Sequence, residues 1–108
     1  PIPDNLVKIL TEIKGLGLLF DTNNWAKGHQ QEGWEKCAEY AEYTHVKTFS
    51  FDENGNEPSV DLSIPITKLK ETGFDGCWGV ESVPRDGTPE FEAAKLTIDL
   101  IKRNVESE

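Results

Sequence analysis

The sequence is poor in basic residues and in long apolar runs. It has 11 Lys and Arg against 20 Asp and Glu, which gives a net charge of −9. A chain this acidic repels phosphate backbones and anionic lipid surfaces. No apolar run approaches the ~18 residues that a membrane span needs. We therefore expect neither nucleic acid nor a membrane among its partners.

Cysteine is scarce and methionine is absent. The two cysteines, Cys37 and Cys77, stand far apart in no metal-binding or redox spacing. We expect both to be small buried hydrophobic residues of a protein in the reducing cytoplasm, with a disulfide or a reactive thiol as the alternative. Because the chain starts at Pro1, we expect either removal of an initiator or a longer parent protein.

The chain has 108 residues, 36% apolar and 29% charged, which suits a single folded domain over 1–108. Helix-like and strand-like patterns alternate along it. Apolar spacing predicts helices over 4–14, 30–43 and 64–72 and from 88 onward, and strands over 16–20, 44–49 and 76–80. The order α-β-α-β-α-β-α predicts an α/β fold with three parallel strands and four helices.

Two helices carry recognisable signals at their starts. Asp4 is the predicted N-cap of the first helix. Thr88 is the predicted N-cap of the last helix, with Pro89 at the first helical position. The last helix also has an apolar stripe at spacings of three and four, which we predict to be buried: Phe91, Ala94, Ile98, Ile101 and Val105.

Three polar residues mark the predicted strands. Asp21 follows the first strand, His45 lies near the start of the second, and Glu81 follows the third. In a parallel sheet such positions can meet at one rim, where barrel enzymes place their active sites. Two carboxylates and an imidazole are ligands for a divalent cation. Alternation along the strands also puts Asp21 and Glu81 on faces of small or moderate residues, as in a barrel interior.

Each of these residues has a plainer explanation when taken alone. An Asp after an apolar run is commonly a cap, a His in a strand is commonly structural, and such a Glu is commonly solvated. Their appearance at equivalent places in three successive units favours a shared metal site. Arg85, which follows the third strand, is a candidate for binding an anionic group of a substrate, with a surface turn as the alternative. Trp25 and Trp34 are more typical of core packing than of a sugar-binding wall.

Three segments carry a family resemblance: LLFDTNN at 18–24, THVKT at 44–48 and GFDGCWGVES at 73–82. In this order they resemble segments of the sugar phosphate isomerase/epimerase family of xylose-isomerase-like TIM barrels. The resemblance covers almost the whole chain and corresponds to the C-terminal part of that barrel. It implies a partial TIM barrel, since a complete one needs eight strands and ~250 residues.

The resemblance also implies a site. Asp21, His45 and Glu81 match residues that bind a divalent cation, commonly manganese, magnesium, cobalt or zinc. Asn24 and Lys47 match substrate-binding positions at the mouth of the site. Glu81 matches one of two catalytic carboxylates that act as acid and base. The expected reaction is isomerisation or epimerisation of a sugar, sugar phosphate or keto-polyol by proton abstraction next to a carbonyl.

Two departures from the family keep an alternative open. Thr48 stands where an Asp is frequent, and the second catalytic Glu of the family belongs to an earlier strand that this chain does not supply. The alternative is a non-catalytic structural or assembly module that keeps the scaffold. In either case we expect a homo-oligomer or a missing N-terminal barrel half to complete the sheet. An abasic-site endonuclease of the same superfamily fits poorly, because the chain is acidic and has only two histidines.

Overall fold

A computed structural model describes residues 1–107 and contains three strands and four helices. In chain order they are α1 (Pro3–Glu12), β1 (Leu18–Asp21), α2 (Gln30–Cys37), β2 (Ala41–Thr48), α3 (Ser63–Glu71), β3 (Cys77–Ser82) and α4 (Glu90–Glu106). The strands form one parallel sheet in the order β1-β2-β3. The predicted α/β class, element order and parallel strands are therefore confirmed. The sheet is open and does not close into a barrel.

The two faces of the sheet differ sharply. One face is covered by helices, and its inward residues are fully buried, among them Phe20, Val46 and Thr44. Phe20 packs with residues of α2 and α3, and Val46 packs with residues of α3 and α4. On the opposite face, Leu19 and Tyr43 are exposed. The alternation of the strands thus separates a packed face from an open one.

The boundary between α2 and β2 differs from the prediction. The helix ends at Cys37, a 3₁₀ turn covers Ala38–Tyr40, and β2 begins at Ala41, so His45 lies inside its strand rather than near the start. Local propensity favours helix over these residues. Pairing of Tyr43 with neighbours on both sides, Leu19 and Cys77, overrides it.

The predicted N-caps are also displaced by one or two residues. Ile2 occupies the N-cap of α1, and Pro3 is the first helical residue, so Asp4 lies within the first turn. Pro89 occupies the N-cap of α4 with extended backbone, and its carbonyl accepts a bond from the Ala93 amide at 2.8 Å. Proline thus precedes this helix instead of starting it.

The apolar stripe predicted for α4 is buried only in part, because Ile101 lies in the core and Val105 packs against it. Phe91 is 79% exposed and Ile98 is 41% exposed. The residues that α4 buries are Ala93, Thr97, Leu100 and Ile101. On this buried face the hydroxyl of Thr97 pairs with that of Thr48 on β2, at 2.9 Å. A polar residue therefore faces inward because the sheet supplies its partner.

The two cysteines differ in environment. Both are free thiols; Cys37 is buried, as predicted, whereas Cys77 is exposed. Cys77 is the first residue of β3 and lies on the open face, opposite Tyr43. The prediction that Cys77 is buried is wrong, and its neighbour Tyr43 on the same face is exposed as well.

Candidate metal centre

Strand register brings Asp21, His45 and Glu81 together on the open face. Asp21, the last residue of β1, pairs with His45, and His45 pairs with Gly79 of β3. Glu81 stands two residues beyond Gly79, opposite Lys47. Because alternate residues share a face, all of them project from the same side of the sheet. Parallel pairing, not a loop, therefore assembles the cluster.

The three candidate ligands converge closely. Nδ1 of His45 lies 3.5 Å from Oε2 of Glu81 and 3.8 Å from Oδ2 of Asp21. One ligand atom from each residue lies within 4.8 Å of the others. Metal–ligand bonds of about 2.0–2.2 Å are typical of zinc and magnesium. A small inward movement of the side chains therefore suffices to place all three around one cation.

Two carboxylate oxygens of the cluster lack a hydrogen bond within the part of the chain that the structure describes. They are Oδ2 of Asp21 and Oε2 of Glu81. The other Asp21 oxygen, Oδ1, accepts a bond from the Asn23 amide at 2.8 Å, which fixes the carboxylate in place. Asp21 Oδ2 and Glu81 Oε2 each lie 3.4 Å from the Lys47 ammonium, which is longer than a usual N–H···O hydrogen bond. The donor set of two oxygens and one nitrogen thus fits a divalent cation.

The electrostatics of the two carboxylates are linked. Burial raises the pKa of Asp21 above 3.8 and the neighbouring Glu81 adds to the rise, while the Asn23 amide and Lys47 offset part of it. Contact with the Asp21 carboxyl, together with Lys47 and His45, lowers the pKa of Glu81 below 4.5. The two carboxyl groups therefore differ in acidity, and Asp21 is the weaker acid of the two.

Lys47 supplies a positive charge inside this cluster. Its Nζ lies 3.4 Å from Asp21 Oδ2 and 3.4 Å from Glu81 Oε2. It also donates a hydrogen bond to Oδ1 of Asn24 at 2.6 Å. The two substrate-binding candidates, Asn24 and Lys47, therefore contact each other at the edge of the site. Neither motif nor spacing indicates that Lys47 bridges both carboxylates.

Arg85 contacts Phe49 rather than the residues of the cluster. It is exposed in the loop after β3, and its guanidinium lies 4.2 Å from the ring centroid of Phe49. Its amide donates to the Phe49 carbonyl at 2.7 Å. Within the described part of the chain, neither of these contacts involves Asp21, His45 or Glu81. Its assignment to substrate binding stays a prediction.

Glycine at position 79 leaves room for the cluster. A Cβ atom there would lie 2.3 Å from the Thr44 carbonyl oxygen and 3.3 Å from the His45 ring. Real Cβ atoms do not come that close to a backbone oxygen, so no side chain fits. The imidazole of His45 therefore lies over a bare stretch of β3.

A pocket of about 260 Å³ opens beside the cluster. Asp21, Asn24 and His45 form its polar end. The remaining lining residues are apolar: Pro1, Leu6, Leu18, Leu19 and Trp25. Trp34, by contrast, is buried in the core and donates to the Thr22 carbonyl at 2.9 Å, as core packing predicts. The pocket wall at Leu19 and Leu6 was not predicted, because it depends on how α1 meets β1.

Comparison with known proteins gives two partial relatives. The chain is 36% identical over 50 residues to a 3'-dehydrocarminate deglycosidase alpha subunit from Microbacterium sp, a match covering 45% of this chain. It is 38% identical over 45 residues to a C-glycoside deglycosidase alpha subunit from Microbacterium trichothecenolyticum, covering 42% of this chain. The matches span only 14% and 12% of those two proteins. No protein-family model matches the chain.

Among the residues that the structure describes, none of the helices is both long enough and apolar enough to cross a membrane.

Proposed function

We propose that Asp21, His45 and Glu81 bind a divalent cation in a site for sugar chemistry. The observation that carries the proposal is the convergence of three ligand atoms within 4.8 Å. Within the described part of the chain, Oδ2 of Asp21 and Oε2 of Glu81 also accept no hydrogen bond, although the Lys47 ammonium lies 3.4 Å from each. Manganese, magnesium, cobalt and zinc all accept such oxygen and nitrogen donors.

The proposed reaction is isomerisation or epimerisation of a sugar, sugar phosphate or keto-polyol. When bound, the cation would act as a Lewis acid that polarises a carbonyl and stabilises the negative charge formed next to it. Glu81, whose lowered pKa keeps it ionised, would accept the proton from the carbon beside the carbonyl. Asn24, at the polar end of the pocket, would orient substrate hydroxyl groups.

A second candidate comes from the names of the relatives. Both are deglycosidase alpha subunits, and one is named for a dehydro, that is oxidised, glycoside. A carbonyl on a sugar makes the neighbouring C–H acidic, so bond cleavage in such a substrate can begin with the same proton abstraction. Glu81 and the candidate cation site would then serve a deglycosidase. The two candidate reactions share the first step and differ in the later ones.

A non-catalytic assembly module is the remaining alternative. The open sheet face exposes Leu19 and Tyr43, and the relatives are named as subunits. We propose that another subunit, a second copy or the rest of a barrel covers this face. The two free thiols suit the cytoplasm, which stays our proposed compartment.

The metal proposal is tested by titrating the chain with Mn²⁺ while following water-proton relaxation and melting temperature. We expect saturable binding and a rise in melting temperature, because a ligand that binds only the folded state stabilises it. His45→Ala should abolish both effects. His29→Ala is the matched control, since His29 lies in the loop before α2, outside the cluster. Equal binding by both variants would contradict a site at Asp21, His45 and Glu81.

The chemistry is tested by proton exchange. Ketose and dehydro-glycoside probes are incubated with the Mn²⁺-loaded chain in D₂O, and deuterium is sought by NMR at the carbon next to the carbonyl. Exchange that disappears in Glu81→Gln supports proton abstraction. Metal binding without exchange on any probe would favour the assembly module.

A further inference from the structure

The pocket beside the candidate metal site is polar at one end and apolar over the rest of its lining. Its polar end is formed by Asp21, Asn24 and His45, and the rest is aliphatic or aromatic. Leu19, 49% exposed, stands next to the polar end on the same strand as Asp21. A ligand that fills the pocket would therefore meet ligating groups at one end and an apolar wall at the other.

Trp25 forms a fixed part of this wall. A Cβ atom on Gly33 would lie 2.3 Å from the Trp25 ring, so the indole rests directly against the α2 backbone. Phe20 contacts it edge-on, with ring centroids 5.9 Å apart. The ring is thus held before any ligand arrives, and it gives the pocket a pre-formed apolar wall.

The charges around the pocket disfavour an anionic ligand. Asp21 contributes a carboxylate, and within the described chain no lysine or arginine side chain lines the pocket. The nearby ammonium of Lys47 is already engaged by Asp21, Glu81 and Asn24. A phosphate group would lose its hydration here, and no lysine or arginine side chain among the described lining residues would replace it.

We infer that this pocket takes an uncharged apolar ring joined to the sugar, such as the aromatic part of a glycoside, and not a phosphate group. The inference rests on the proposed function for the presence of a sugar at the adjacent site. It narrows the substrate from sugars and sugar phosphates in general to glycosides with an apolar aglycone.

The inference is tested by ligand titration without metal. The three indole N–H signals of the ¹⁵N-labelled chain are followed by NMR, and the Trp25 signal is assigned with Trp25→Phe. The probes are phenyl β-D-glucopyranoside, methyl β-D-glucopyranoside and glucose 6-phosphate. We expect the phenyl glycoside to shift the Trp25 signal with a Kd at least about tenfold below that of the methyl glycoside, because the phenyl ring buries additional apolar area. Glucose 6-phosphate should produce no saturable shift.

Two matched variants locate the binding. Leu19→Lys should weaken phenyl glycoside binding at least about fivefold by placing a charge on the apolar wall. Ile98→Lys is the control. Ile98, 41% exposed, lines a separate apolar groove of about 250 Å³ together with Trp78. Both side chains are partly exposed, so both variants should fold. Repeating the titration with a Gly-Ser extension before Pro1 removes any effect of the terminal amine.

The outcomes separate this inference from the metal proposal. Equal affinity for the phenyl and methyl glycosides, saturable glucose 6-phosphate binding at Trp25, or a response at Trp78 instead would overturn the apolar-ring assignment. Absence of Mn²⁺ binding would leave this titration unaffected, because it contains no metal. Phenyl glycoside binding that Leu19→Lys weakens and Ile98→Lys does not would support the assignment whether or not the metal proposal holds.

Discussion

The ammonium of Lys47 lies 3.4 Å from the Glu81 carboxylate, its direct partner across the β2–β3 pair. The same ammonium lies equally close to Asp21. A cation is therefore already present between the two carboxylates proposed to bind a metal. It keeps them together in the metal-free protein and opposes the entry of a second positive charge.

The first prediction concerns the competition between this ammonium and a metal. Lys47→Met keeps the length of the side chain and removes its charge. We expect Mn²⁺ to bind about tenfold more tightly, because the repulsion between ammonium and metal is lost. Calorimetric titration with Mn²⁺ measures the change.

The control is Lys68→Met on α3, where the lysine pairs with the exposed Glu71 at 3.5 Å. It should leave the Mn²⁺ affinity unchanged. Weaker binding in Lys47→Met would instead mean that the lysine holds the carboxylates in the geometry that the metal needs.

The second prediction concerns the space over Gly79. In Gly79→Ala, the added methyl group would press on the Thr44 carbonyl oxygen at 2.3 Å and push β3 away from β2. We expect a loss of about 1–3 kcal/mol in the free energy of unfolding, as for other overpacked sites. Mn²⁺ affinity should also fall, since His45 and Glu81 stand on the two separated strands. Urea denaturation and metal titration measure the two effects.

Gly17→Ala is the matched control for steric conflict. The three atoms nearest to its Cβ would all belong to the side chain of Glu42, which is exposed and can turn away. Its free energy of unfolding should stay within about 0.5 kcal/mol of the parent. An equal loss in both variants would indicate that glycine flexibility, rather than the Thr44 contact, sets the cost.

The fold was predictable where pattern and tertiary contacts agree. Continuous apolar runs indicated strands β1 and β3, and their parity placed Asp21 and Glu81 on one face. At 40–43 the predicted helix is wrong. Local helix propensity contains no information on the pairing of Tyr43 with strands on both sides. Residue types and strand parity were enough to select the three candidate ligands. The bridging position of Lys47 depends on side-chain geometry that no spacing reveals.

The burial of α4 was less predictable for a different reason. Two overlapping stripes on this helix both have spacings of three and four. The sequence favours the more apolar one, containing Phe91 and Ile98, yet the helix buries Thr97 because Thr48 faces it from β2. The partner of the Thr97 hydroxyl lies on another element of the fold, so the pattern of the helix segment alone does not reveal it.

The third prediction concerns Glu57, a buried carboxylate in the loop after β2. Its oxygens accept bonds from the amides of Phe49 at 2.7 Å, Ser50 at 2.9 Å and Ser59 at 3.0 Å. Glu57→Gln replaces one accepting oxygen with a donor, which leaves at least one buried amide unpaired. We expect a loss of about 1–3 kcal/mol at pH 7, measured by urea denaturation. Glu53→Gln, in the exposed part of the same loop, should have almost no effect.

The fourth prediction gives the pH dependence of that stabilisation. Burial acts to raise the pKa of Glu57, but hydrogen bonds from Ser59, Phe49 and Ser50 outweigh it and lower the pKa below 4.5. A lowered folded-state pKa stabilises the protein above about pH 4.5, and this contribution is lost as the pH falls through the folded-state value. The stability gap between the parent and Glu57→Gln should therefore be constant from pH 7 to 5 and shrink below pH 4.5. A gap that widens on acidification would contradict the assignment.

The fifth prediction concerns the buried hydroxyl pair of Thr48 and Thr97. The Thr97 hydroxyl donates to the Ala93 carbonyl at 2.7 Å, so Thr48 must be the donor in the 2.9 Å bond between the two threonines. Thr97→Val leaves the Thr48 hydroxyl in the core without an acceptor. We expect the free energy of unfolding to fall by about 1–3 kcal/mol. Thr48→Val should cost less, because Thr97 keeps its bond to Ala93. The double variant should be less destabilised than the sum of the two single changes, since both partners become apolar. A double-mutant cycle by urea denaturation measures the coupling, and strict additivity would mean that the two hydroxyls do not stabilise each other.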